Sequence, residues 1–173
     1  CNLQCSYCYY LDSASQRHNT TSVMSDEVLS SYIRQYIDWH SDGEVEFCWH
    51  GGEPLLAGLP FFNRVIELQK QYGQGLQIYN VVQTNGTLLT DEWCEWLKEH
   101  HFLVGLLLDG PEHCHDHYRH TALGTGSFKQ VIEGVERLNK YGVEYNLMAV
   151  INDYTAQYPL DVYRFLRGLG TPY

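Results

Sequence analysis

Three cysteines stand within the first eight residues, in "CNLQCSYCYY", as Cys1, Cys5 and Cys8. Thiols this close together are ligands for a soft metal, either zinc or an iron–sulfur cluster. A structural zinc normally takes four protein ligands, often as two close pairs. Here no second pair follows, and the nearest plausible fourth donor is His18, on a polar stretch. A cubane held by three cysteines would instead leave one iron open to another ligand. The other cysteines, Cys48, Cys94 and Cys114, lie singly in apolar or mixed stretches and read as packing residues. Secreted disulfide scaffolds are smaller and denser in cysteine, so metal binding in a reducing compartment is the better reading.

Further candidates come from three short polar, glycine-containing stretches, "HGGEP" (50–54), "TNG" (84–86) and "DGP" (109–111). They place His50, Gly51, Gly52, Glu53, Asn85 and Asp109 immediately after apolar runs. Gln83 and Asn85 suit ligand contact or simple turn formation equally. Asp109 reads as a strand-end residue that shapes a site. "EHCHDHYRH" (112–120) gathers four histidines around Asp116. The stretch looks metal-binding, but it is read here as a polar loop rather than a ligand set.

A repeating rhythm of elements positions these residues. Ser25 is a candidate N-cap for a helix whose apolar face is Val28, Leu29, Tyr32, Ile33, Tyr36 and Ile37. "EVEFCW" reads as a strand, and Pro60 opens a helix through Phe62, Val65, Ile66 and Leu68 that stops near Gly73. "LQIYNVVQ" is the next strand, followed by a Thr90-capped helix carrying Trp93, Trp96 and Leu97. "FLVGLLLD" is a nearly continuous apolar strand, as expected where both faces are covered. Ser127 and Gln130 form a capping box ahead of Val131, Val135 and Leu138. "VEYNLMAVIN" is a fourth strand, and Pro159 starts a last helix through Val162, Phe165 and Leu169. Alternating strands and helices imply a parallel α/β sheet with right-handed crossovers. The glycine-containing loops would then share the carboxyl-end face, where such folds bind ligands.

With 44% hydrophobic and 14% aromatic residues the chain is globular, and its net charge of −10 disfavours nucleic acid or an anionic membrane as partner. No apolar run approaches the roughly 20 residues of a membrane span. The 173 residues begin at Cys1 rather than Met and end directly after a helical pattern. The sequence therefore predicts a piece of a longer protein, lacking a strand before Cys1 and one or more units after Tyr173.

The spacing C-x₃-C-x₂-C, with aromatic Tyr7 before the last cysteine and "GGEP" after the next strand, resembles the radical S-adenosylmethionine (radical SAM) enzymes. "CNLQCSYCYYLD", "WHGGEPLLAGLPFF", "QTNGTLLTDEW", "FLVGLLLDGPEHCHDHYR" and "VYRFL" narrow the resemblance, in that order, to the anaerobic sulfatase-maturating enzymes. The resemblance implies an incomplete (β/α)₆ barrel over 1–173, with a C-terminal domain for auxiliary clusters beyond it. It implies a [4Fe–4S] cluster on Cys1, Cys5 and Cys8, with S-adenosylmethionine chelating the open iron. Reductive cleavage of the cofactor would give a 5′-deoxyadenosyl radical that takes a hydrogen from Cβ of a sulfatase cysteine or serine. Loss of a further electron and a proton, then hydrolysis in the cysteine case, yields Cα-formylglycine.

By the same resemblance Tyr7 lies against the adenine, Gly51, Gly52 and Glu53 meet the methionine amino group, and Arg119 holds its carboxylate. Leu107 stands where "GLSLDGP" would supply a serine to that carboxylate, and His50 stands where a glutamine is usual. A leucine cannot donate the missing hydrogen bond; a histidine can donate one. The implied partners are a sulfatase polypeptide and a low-potential electron donor of flavodoxin or ferredoxin type, in the cytoplasm. The catalytic base is expected beyond residue 173. Two alternative readings are another peptide-modifying radical SAM enzyme, such as one forming thioether cross-links, and a zinc-binding module without chemistry.

Overall fold

The computed structural model describes residues 1–10, 23–40 and 43–170. His18 lies outside the described residues. The chain alternates helix α1 (Asp26–Trp39), strand β1 (Glu44–Trp49), a 3₁₀ turn (Pro54–Ala57) and α2 (Gly58–Tyr72). It continues through β2 (Gln77–Thr84), α3 (Asp91–Glu99), β3 (Leu103–Leu107), short α4 (Glu112–His115), α5 (Phe128–Tyr141), β4 (Tyr145–Met148) and α6 (Pro159–Gly168). The four strands form one parallel sheet in the order β1-β2-β3-β4. Each successive strand adds at the same edge, so all crossovers run on one side and the sheet is one wall of a barrel-like α/β fold.

Local chemistry explains most boundaries. Ser25 Oγ accepts the Val28 N–H at the start of α1, and Thr90 Oγ1 accepts the Trp93 N–H at the start of α3. Helix α2 begins two residues before Pro60, led in by the 3₁₀ turn, so Pro60 sits in its first turn, where no backbone donor is needed. The Ser127–Gln130 capping box does not form. Ser127 is in the helical region (φ −110°, ψ −5°), and its hydroxyl instead donates to the Arg119 carbonyl. Asp116 Oδ1 accepts the N–H groups of both Ser127 and Phe128, at 2.8 Å each, and caps α5 from a distance. A Cβ on Gly126 would collide with that carboxylate, so glycine is required for the close approach.

The sheet has one dry face. Val45, Phe47 and Trp49 of β1, Val82 of β2 and Val104 and Leu106 of β3 pack under the helices with Leu29, Ile33, Phe62, Leu97 and Leu138. Phe62, Trp93, Trp96 and Phe102 form an aromatic knot, with Trp96 Nε1 donating to Asn63 Oδ1. The opposite, inner face carries Glu44, Glu46 and Cys48 of β1, with Tyr79, Gln83, Gly105, Leu107 and Met148 on its neighbours. Cys48 is exposed there, contrary to the buried-packing expectation, because the strand pleat turns it away from the helices. Cys94 and Cys114 are buried as expected. On α1 only Leu29, Ile33 and Ile37 are buried, whereas Val28 and Tyr32 are exposed at the margin of the stripe.

Candidate functional site

The cysteine loop lies across the carboxyl ends of the strands. Leu3 bridges Thr121, and the N–H groups of Gln4 and Ser6 donate to the carbonyls of His120 and Tyr118 at 2.8 and 3.0 Å. Buried Leu3 anchors the loop, and the Cys8 N–H donates to the Cys5 carbonyl in a tight turn. Gly51 and Gly52, both at positive φ, let the β1 loop come close. A Cβ on Gly51 would sit 3.3 Å from the Tyr10 hydroxyl, and one on Gly52 would sit 3.3 Å from the Cys1 nitrogen. Tyr9 Oη lies 3.1 Å from His50 Nε2. "HGGEP", "TNG", "DGP" and the cysteine loop are thus one contiguous surface.

Two buried carboxylates organise it. Glu53, 5% exposed, accepts the Thr84 hydroxyl at 2.7 Å, the Asn85 N–H at 2.8 Å and the Leu55 N–H at 3.1 Å. Burial pushes its carboxyl upward against the pull of those bonds. Both Glu53 oxygens accept hydrogen bonds from within the protein, so the carboxylate is turned inward beneath the Gly51–Gly52 turn. Asp109, wholly buried, accepts Tyr7 Oη at 2.6 Å, Arg119 Nε at 2.8 Å, Arg119 Nη2 at 3.1 Å and the Val150 N–H at 2.9 Å. It therefore ties the cysteine loop to the ends of β3 and β4.

The expected site residues fall into place unevenly. Tyr7 packs edge-on against Tyr118 at 5.6 Å and beneath the Arg119 guanidinium at 5.5 Å. Burial holds its phenol well above the ordinary range, aided by the Asp109 carboxylate and opposed by Arg119. Arg119 is 3% exposed, with two of its three nitrogens committed to Asp109. Leu107 is half-buried on the inner face, paired in register with Met148. His50 is exposed at the rim. His115, one of the four histidines, is a core residue. Its Nδ1 accepts the Asp109 N–H, which leaves the proton on Nε2 facing Ser127 Oγ at 3.0 Å. His117 stacks on Tyr154 at 3.7 Å.

The loop's donor set suits a soft metal cluster: three thiols, with no carboxylate or imidazole among residues 1–10. Among the described residues, no three His, Cys, Asp or Glu side chains are already gathered as a metal-holding group. Burial raises the Cys5 thiol, partly offset by Arg119, so a metal held there would have to displace its proton. Sequence reasoning missed Thr84 and Thr87, the hydroxyls flanking Asn85. Thr87 donates through both N–H and Oγ1 to Asn85 Oδ1. The available signal was a threonine on each side of an Asn-Gly turn at a strand's carboxyl end.

Comparison with known proteins agrees with this layout. The family model described as the Radical SAM superfamily matches residues 1–166. A serine-type anaerobic sulfatase-maturating enzyme of Bacteroides thetaiotaomicron is 49% identical over 174 residues, spanning all of this chain and 42% of that protein. A cysteine-type anaerobic sulfatase-maturating enzyme of Clostridium perfringens is 42% identical over 170 residues, spanning 96% of this chain and 45% of that protein. The solved structure described as native anSMEcpe with bound AdoMet superposes with a TM-score of 0.89 at 39% identity, over 97% of this chain and 46% of that one. The chain thus spans under half the length of these three proteins.

Proposed function

Since the chain belongs to the radical SAM superfamily, we propose that it is the cofactor-binding core of an anaerobic sulfatase-maturating enzyme. In this reading the full-length protein oxidises a cysteine or serine of a sulfatase to Cα-formylglycine. The observation that carries it is the convergence of the cysteine loop, "GGEP", "TNG" and "DGP" on one face, in a fold similar throughout to a structure described as binding AdoMet. The 49% and 42% identities to serine-type and cysteine-type maturases favour this substrate class over other peptide modifications.

When bound, a [4Fe–4S] cluster and S-adenosylmethionine supply an organic radical able to take hydrogen from an unactivated carbon. Cys1, Cys5 and Cys8 would hold the cluster, and three thiolates rather than four keep one iron available. Backbone carbonyls of Gly51 and Gly52 suit an ammonium group, since Glu53 is turned inward to fix their turn. Arg119, oriented by Asp109, supplies positive charge for a carboxylate. Tyr7 offers a ring edge and backbone for a purine. His50 sits at the rim in reach of the Tyr9 hydroxyl, where it would donate to cofactor or substrate. Leu107 removes a hydroxyl from the inner wall and leaves it apolar beside Met148.

The relatives' greater length supports a further domain, with auxiliary clusters and the catalytic base, following this core. A flavodoxin- or ferredoxin-type donor would supply the electron, and the cytoplasm is the compartment compatible with such a cluster. Among the described residues no helix is long and apolar enough to cross a membrane.

The test is anaerobic reconstitution of the full-length protein with iron and sulfide, then EPR of the reduced state with and without S-adenosylmethionine. Incubation with peptides carrying a sulfatase cysteine or serine motif follows, read by mass spectrometry. The expected result is a [4Fe–4S]⁺ signal altered by the cofactor and conversion of the target side chain to the aldehyde. Stoichiometric zinc with no cluster would overturn the reading.

A further inference from the structure

Asn85 is 3% exposed at the end of β2, and its side-chain amide has only one possible orientation. The Thr87 backbone N–H, which can only donate, points at one amide atom at 3.0 Å, and the Thr87 hydroxyl points at the same atom at 2.7 Å. That atom must be the oxygen. The amide nitrogen therefore faces the cysteine loop, with one hydrogen for Asn2 Oδ1 at 2.9 Å and the other directed to Cys1 Sγ at 3.8 Å, within the longer reach of a sulfur acceptor. Asn2 closes the ring by donating its own amide to Thr87 Oγ1 at 2.8 Å. From behind, Glu53 accepts the Asn85 backbone N–H, and the adjoining Gly52 lies against the Cys1 backbone. Asn85 is held on three sides, and the remaining side is a thiol.

We propose that Asn85 is a positioning residue for the metal centre: its amide N–H donates to the Cys1 thiolate and sets the reduction potential of the cluster bound there. The inference rests on the cluster reading above. Reduction adds negative charge, which spreads onto the coordinating sulfurs. A donor aimed at one of them stabilises the reduced state more than the oxidised state. Removing it makes reduction less favourable and the potential more negative. Asn2 and Thr87 act through Asn85, since they fix which face of the amide the sulfur meets.

The experiment is an EPR-monitored redox titration of the reconstituted full-length protein, comparing wild type with Asn85→Ala and Thr87→Val, with iron and sulfide content measured in parallel. Asn85→Ala is expected to retain its iron and to reduce about tenfold less favourably, a shift of about 59 mV to more negative potential for one electron. Thr87→Val, which keeps the amide and the backbone donor at 87 but removes the hydroxyl that holds Oδ1 and receives Asn2, loosens the amide and shifts in the same direction by less. Deuterium ENDOR on the reduced wild type detects an exchangeable proton coupling that Asn85→Ala lacks. Where Asn85→Ala fails to load, the Thr87→Val shift and the wild-type coupling decide. An unchanged potential in a loaded variant, or no such coupling in loaded wild type, overturns the inference while the cluster reading stands. Failure of the wild type itself to assemble a cluster removes both.

Discussion

His115 has no exposed surface, and burial, reinforced by the nearby Arg119 charge, lowers its imidazole pKa to about 4. Unfolded histidine titrates near 6.5. Between those values the unfolded chain binds the extra proton and the folded chain does not, so stability rises with pH. The contribution is fully present above about 6.5 and is lost as pH falls toward 4, about 3 kcal/mol in all. Urea unfolding across that range should show a slope that His115→Gln flattens. Asp109 is the harsher position. Asp109→Asn keeps the shape but leaves the buried Arg119 charge unpaired, and a broken buried pair costs about 3–5 kcal/mol. Its expected result is a lower urea midpoint together with weaker cofactor binding in calorimetry, because Tyr7 and Arg119 lose their common anchor. Leu107 offers the opposite test. Leu107→Ser restores a hydroxyl on the inner wall and, as a hydrogen bond to a charged group, should tighten S-adenosylmethionine binding about tenfold. Unchanged affinity would show that the wall at Leu107 does not face the cofactor.

At the scale of elements, the strand and helix sequence was readable because each segment carries its own signal. The β-branched and aromatic runs of β1–β3 gave their positions, and Ser25 and Thr90 sit before their helices as caps. The start of α5 was not readable in this way. Ser127 and Gln130 satisfy the capping-box pattern, yet the cap comes from Asp116, eleven residues upstream across a folded segment. No local rule sees a carboxylate brought in by tertiary structure. The two caps separate experimentally. Asp116→Ala should cost about 1–2 kcal/mol in urea unfolding, whereas Gln130→Ala should cost almost nothing. Burial was misread where membership of an apolar stretch was used in place of alternation, which separates Cys48 from Val45, Phe47 and Trp49. Cys48 belongs to an apolar-looking strand, but the pleat assigns it to the inner face, where it is exposed. The site followed the same division. The cysteines and glycines announce themselves by spacing, while the Asp109 and Asn85 hubs depend on partners up to 102 and 84 residues away, which spacing cannot show.

Over the whole molecule, the cysteine loop is a long-range clasp. Its backbone bonds run to Tyr118, His120 and Thr121, and its side chains run to Thr87 and Asp109. The 118–121 segment is itself pinned by the His120–Gly126 bridge and by Ser127 beneath Arg119, at the entrance to α5. Anything that orders residues 1–8 should therefore order a segment more than 110 positions later in the sequence. Closing three thiolates around a metal cluster is such an event, because binding free energy available only to the closed loop adds to the stability of every contact that the closed loop makes. Hydrogen exchange read by mass spectrometry, before and after anaerobic reconstitution, is expected to show slower exchange at Gln4 and Ser6 and also across 119–127. The middle of α3, which carries none of the hydrogen bonds named for the loop or for 118–127, should be unaffected. Protection confined to the first ten residues would mean that the loop closes on its own, and that its bonds to the 118–121 segment carry no energy from the metal into the fold.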